Sequence, residues 1–172
     1  MSRLRSWAEL LGGRARLGGQ ALMALTAGCG LMPRELRAVR GTDIRTARSG
    51  LALVEGLNRL VACQAGWEET LSELAAIAGH DYLFRPHRKV ATAKNLVSSW
   101  PARHRPPAGL PPLSARRLRS TWIVKLLALG IAPALVAESA GMTSMAALAP
   151  YHQWVPPLDR ETAAHLLRGR RP

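Results

Sequence analysis

Apolar residues in this chain recur mostly at helical intervals, and the clearest run lies in its last third. Leu118, Trp122, Leu126 and Leu129 follow at spacings of four, four and three, which puts them on one helix face. Ser114 stands before that run as an N-cap, and Gly130 stands after it as a stop. Arg116, Arg119 and Ser120 lie three and four apart on another face of the same helix. A second short helix is predicted from Pro133 to about Ala140, ended by Gly141. Thr143 then caps a third helix, which carries Tyr151 near its far end.

Upstream, Ser6 reads as the cap of a short helix to about Leu11, and Gly12, Gly13, Gly18 and Gly19 punctuate the adjoining segment. Ala21 to Ala27 is apolar all round and belongs in the core. Between Asp43 and Cys63 the pattern shortens to three predicted strands, about 43–46, 51–55 and 59–63, with Gly56-Leu57-Asn58 as a tight turn. A helix runs from Trp67 to about Ala78, with Leu71, Leu74 and Ala78 on one face, and another spans Ala91 to Trp100. Arg103 to Pro112 is a proline-rich loop. Asp159 caps a last helix to Leu167, whose stripe of Leu158, Ala163, Leu166 and Leu167 is apolar. The expectation is a mainly helical α+β fold with a small three-stranded antiparallel sheet, in a single domain over residues 1–172.

Charge changes the picture. Lys and Arg number 24 against 11 Asp and Glu, for a net +13 and a pI near 11.5. All but Lys89, Lys94 and Lys125 of those cations are arginine, whose fork suits phosphate better than an ammonium does. The balance implies a polyanionic partner, nucleic acid before membrane. A GC-rich coding sequence is the other source of so much arginine. Cys29 and Cys63 sit in apolar settings without metal-like spacing and read as buried free thiols in a reducing compartment. No long apolar run or signal-peptide core is present, so the expected setting is cytoplasmic and nucleoid-associated.

Two arginines at a helix start, with a tyrosine one short helix pair later, suit a phosphodiester. The run from Leu113 to Trp154 resembles the catalytic half of the tyrosine recombinase (phage integrase) family. The family pattern is His-x-x-Arg-His, then Leu-Gly-His, then a nucleophilic tyrosine nine residues on. Arg116 stands at the first His position, Arg119 at the Arg and Ser120 at the second His. Ala140-Gly141-Met142 occupies the place of Leu-Gly-His, and Tyr151 falls nine residues after Met142.

The family's other motif, Gly-Leu-Arg-x-x-Glu-Leu-x-x-Leu and a following Asp, is matched by Gly30, Leu31, Glu35, Leu36, Val39 and Asp43. Met32 stands where the catalytic arginine belongs. Arg34, two residues on, points to nearly the opposite side of a helix. The family's hairpin lysine has no counterpart between residues 41 and 63, where Arg59 is the nearest cation to that position. Asp81 to Pro86 resembles the family's Tyr-Leu-Phe-Pro segment.

The resemblance implies a DNA-binding protein of double-stranded DNA that cuts and rejoins strands through a 3′-phosphotyrosine, in impaired form. Tyr151 is then the nucleophile, with Arg119 as one clamp and Arg116 adding charge where a histidine would act as base or donor. Met32, Ser120 and Met142 are degenerate catalytic positions. No metal or cofactor is called for, because guanidiniums neutralise the phosphoryl oxygens. Losing one such donor typically costs about 10²–10³ in rate, so the alternative is a non-catalytic DNA-binding protein derived from a recombinase. Arg34, Arg59, Arg88, Lys89 and Lys94 are DNA-contact candidates, and a solvated charged face is the competing reading of each. Tyr151 also has a packing reading, beside Pro150 and Trp154. Arg119, Tyr151 and Met32 are expected to share one concave basic pocket. The family's separate N-terminal domain is not expected here, and its C-terminal helix often packs on another recombinase subunit, so residues 156–172 pack either in cis or on a second copy.

Overall fold

The computed structural model describes residues 1–88 and 95–169. The first helix, α1 (Ser2–Glu9), places Ser6 inside it rather than at its cap. Gly18 and Gly19 do not punctuate the chain either: both lie within α2 (Gly13–Met23). Trp100 lies flat against them, and a Cβ on Gly18 would come within 2.5 Å of its Nε1. The helix continues directly into a fully buried π-helical turn, Ala24–Gly28. Thr26 satisfies its hydroxyl there by donating to the Leu22 carbonyl at 2.5 Å. This turn is the centre of the fold, since α2, α4 (Ala65–Ala78) and α6 (Ala115–Ala128) all pack on it.

The chain leaves the turn at Gly30, whose φ is +67°. A Cβ at that position would stand 2.4 Å from the Trp122 ring, so both backbone and space exclude any larger residue. A four-residue helix, α3 (Pro33–Leu36), and a 3₁₀ turn (Gly41–Asp43) lead into the sheet.

That sheet has two antiparallel strands, β1 (Ile44–Thr46) and β2 (Ala52–Val54), in the register Ile44 with Val54 and Thr46 with Ala52. The expected third strand is a correction. Residues 59–63 touch β2 through an isolated bridge at Ala62 and the bonds Val54 N–H to Val61 O and Cys63 N–H to Ala52 O. The segment ends there because Gln64 N–H turns away to the Gly28 carbonyl at 3.0 Å and α4 begins.

In α4, Leu71, Leu74 and Ala78 are buried on one face, as their spacing requires. Of the helix expected over Ala91–Trp100, the described part is α5 (Leu96–Arg103), which runs three residues past Trp100. On α6 the apolar face is buried at Leu118 and Trp122 but has run out at Leu129, which is 64% exposed. Gly130 closes α6, and the helix α7 (Pro133–Ser139) is closed by Gly141 in the same way. There Met142 N–H bonds Ala137 O and Gly141 N–H bonds Glu138 O, the paired contacts of a left-handed glycine cap.

The third cap differs from expectation by one residue. Ser144, not Thr143, accepts the Ala146 N–H and opens the 3₁₀ turn Met145–Leu148, from which α8 (Ala149–His152) carries Tyr151. Asp159 caps α9 (Arg160–Leu167) by accepting from Thr162, and α9 buries none of its residues. Leu158, Leu166 and Leu167 of its apolar stripe are exposed, and Ala163 is half-buried.

The main core joins α2, the π turn, α4, β2 and Trp100. A smaller one, of Trp122, Ile123, Val136, Ala137, Ala140 and Leu148, holds α6, α7 and the last turns together. No helix among the described residues is long and apolar enough to cross a membrane.

Candidate functional site

The two motifs meet where α3 and the start of α6 face the end of α7. Arg119 is half-buried and reaches from α6 to both neighbours. Its Nη1 donates to the Gly30 carbonyl and its Nη2 donates to Ala140 O at 2.5 Å. Burial pushes its pKa down, and the nearby Glu35 and Tyr151 oxygens oppose that shift.

Arg59 crosses from the far end of the hairpin into the same cluster. It grips Glu35 with both Nη atoms, at 2.7 and 2.8 Å, and its Nε donates to Ser139 O at 2.9 Å. The Arg59 side chain is 11% exposed and its fork is occupied by a carboxylate, where the sequence leads one to expect a phosphate or solvent contact. Glu35 has one further donor, the Met32 N–H at 2.8 Å. Burial alone would raise the Glu35 carboxyl. The Arg59 fork, the Met32 amide and the charges of Arg59 and Arg119 outweigh it and leave the pKa below the usual range.

Both guanidiniums thus sit on the last carbonyls of α7, where the helix leaves partial negative charge. Gly141 makes room for this. A Cβ there would lie 3.1 Å from Arg59 Cζ.

The remaining predicted residues divide. Met32 is half-buried at the start of α3, and its backbone is bonded to Glu35. Met142 and Tyr151 both pack on the edge of the smaller core, so the packing role of Tyr151 is real whatever else its hydroxyl does. Ser120 donates its hydroxyl to Arg116 O one turn back at 3.0 Å, which occupies its proton.

Arg116 faces elsewhere. With Arg34 and Arg37 it lines a groove of about 480 Å³ beside the cluster, together with Ser98 and Ser114. Neither Arg119, Tyr151 nor Met32 lines that groove. No acidic residue lines it among the described residues. Arg37 was missing from the sequence candidates, although its spacing of three from Arg34 puts both on one helical face. Arg88 lies apart, stacked at 3.6 Å on the Tyr82 ring and bonded to Arg37 O. Lys89 and Lys94 lie outside the described residues. Among the described residues, no three His, Cys, Asp or Glu side chains converge in a way that could hold a metal ion.

Solved structures share this arrangement of elements. The XerA recombinase aligns over 99% of this chain with a TM-score of 0.64 and 17% identity. The chain has the recombinase fold. The XerH site-specific recombinase, solved in a post-cleavage complex with its palindromic difH substrate, aligns over 97% of the chain with a TM-score of 0.63 and 18% identity. The chain spans 63% of the XerA chain and 51% of the XerH chain. No protein-family model and no curated protein matches the sequence. On this recombinase fold, then, the half-buried arginine cluster and the open arginine groove lie side by side at the start of α6.

Proposed function

We propose that this protein binds duplex DNA through the groove of Arg34, Arg37 and Arg116 and does not cleave it. One observation carries the reading: three arginines converge on an acid-free groove at the mouths of α3 and α6. Guanidinium forks spaced around a concavity suit successive backbone phosphates. The XerH neighbour was solved with DNA, which agrees with such a partner.

Loss of turnover rests on chemistry. Met32 and Met142 offer thioethers, which donate no hydrogen bond, at positions where the recombinase resemblance calls for an arginine and a histidine. Arg59, the cation nearest the absent hairpin lysine, holds Glu35 and Ser139. With its fork so committed, Arg59 is not free to serve a leaving 5′-oxygen. Binding of a labelled duplex across a salt series tests the reading, because groove phosphates make affinity fall steeply with salt.

A second reading has its own observation. Tyr151 lies near enough to Arg119 to influence its charge, and Arg119 commits only two of its five N–H groups to carbonyls. In that reading the Tyr151 hydroxyl gives its proton to water as its oxygen attacks phosphorus, the bond to the 5′-oxygen breaks and that oxygen takes a proton from water, leaving a 3′-phosphotyrosyl link and a 5′-hydroxyl. Met32→Arg would then raise the yield of covalent adduct, and Tyr151→Phe would abolish it.

A further inference from the structure

We propose that a second basic cavity, on the other side of α5, is a binding site for a phosphoryl anion. The groove described above takes Val97, Ser98 and Pro101 from α5. A separate cavity of about 220 Å³ takes Trp100, Arg103 and His104, which fall on a different face of the same helix. Helix α5 is therefore a ridge between two cationic hollows.

The cavity is ringed by Arg14, Arg85, Arg88 and Arg103 with His87 and His104, and no acidic side chain lines it among the described residues. Arg14 and Arg103 are exposed at its rim, Arg103 giving Nε and Nη2 to Ser99, and the four arginines together set a positive potential that favours an anion in the cavity. Arg88 forms one wall. Its guanidinium rests on Tyr82 and gives Nη2 to Arg37 O, while Nε and Nη1 are buried without a partner among the described residues. Such orphaned donors call for an acceptor.

The loop that presents these groups is held in an unusual form. Arg85 has a φ of +59°, the one non-glycine residue in the left-handed region among the described residues. Strain of this kind concentrates at ligand clamps. The Arg88 N–H bonds the Arg85 carbonyl at 3.1 Å, closing a turn that carries Arg85, His87 and Arg88.

The opposite wall is rigid. Trp100 is wedged against Gly18 and Gly19, and His104 stacks on it at 4.4 Å with Nδ1 facing the Trp100 carbonyl at 3.0 Å. A volume of about 220 Å³ is below the roughly 300 Å³ of the smallest usual ligand cavities. It fits a phosphate or diphosphate group rather than a whole nucleotide. The proposal stands apart from the DNA reading, which uses the other hollow.

The test is calorimetric titration of the full chain with inorganic pyrophosphate at constant ionic strength. Saturable binding at one site is expected. Arg14→Gln with Arg103→Gln, both surface positions, should weaken it at least about tenfold, the loss of roughly one charge-assisted contact. Arg160→Gln with Arg168→Gln, at the two ends of α9, should leave it within about twofold. Absence of saturation, or equal loss in the two double variants, would overturn the proposal. A measurement without substitution guards against misfolding: pyrophosphate should slow phenylglyoxal modification of Arg14 and Arg103 but not of Arg160, and equal rates would overturn it. Duplex DNA added to the titration identifies the source of the anion. Displacement of pyrophosphate assigns the site to a backbone phosphate, and simultaneous binding assigns it to a free phosphate ester.

Discussion

Arg59 and Glu35 face each other as a two-pronged ion pair, with contacts of 2.7 and 2.8 Å and side chains only 11% and 10% exposed. The pair joins the end of the hairpin to α3, and through Ser139 it joins both to α7. With Arg119, which bonds Gly30 O and Ala140 O, it therefore braces the place where the two halves of the candidate site meet.

Removing one partner of such a pair should cost more than removing the charge from both. Arg59→Met leaves a buried carboxylate unpaired and is expected to lower stability by about 3 kcal/mol. In Arg59→Met with Glu35→Gln, the amide oxygen still accepts the Met32 N–H, so the double variant should be the more stable of the two. Urea denaturation of the two variants decides this, and a double variant less stable than Arg59→Met would contradict it.

Acid should loosen the same contact. The Glu35 pKa is held below its usual value against the opposing effect of burial, so on acidification the unfolded chain takes up the proton first. Its contribution is fully present above the unfolded value of about 4.3 and is lost as pH falls through the folded one. Asp159, lowered by its bonds from Thr162, acts with the same sign. The informative quantity is therefore the difference in stability between the native chain and Glu35→Gln, which should shrink as pH is lowered from about 6 to about 3.

Local signals in the sequence were readable because their partners are near. The stops at Gly130 and Gly141, the Asp159 cap and the buried face of α4 all depend on residues within one or two turns. Arg59 was not readable, since its partners lie 24 and 80 positions away. Gly18 and Gly19 misled for the same reason: the Trp100 ring that requires them is on another helix. The third strand was overestimated because residues 59–63 have strand composition, while the turn at Gln64 leaves too little length for a full pairing.

Gly30 offers a test of how tightly the two motifs are packed. Gly30→Ala meets both a left-handed φ and the Trp122 ring, and should cost on the order of 3 kcal/mol. For a chain of this size that is a fall of about 6–12 °C in Tm. A change of less than about 2 °C in a thermal scan would show that Trp122 can move aside.

The arginine groove predicts a salt dependence. If Arg34, Arg37 and Arg116 each meet a phosphate, the log–log slope of affinity against salt should be at least about 2.7. Arg34→Ala and Arg116→Ala should each reduce that slope by about 0.9, whereas Arg160→Ala on α9 should not change it. Fluorescence anisotropy of a labelled duplex gives all four slopes.

The central claim is that this recombinase fold holds duplex DNA without cutting it. The most direct measurement is incubation with a nicked duplex that traps a cleaving tyrosine by losing its free end, followed by native and denaturing electrophoresis of the same sample. The account predicts a retarded complex on the native gel and no protein–DNA adduct on the denaturing one. An adduct formed by the native chain and absent from Tyr151→Phe would contradict the claim, as would the absence of any complex at low salt.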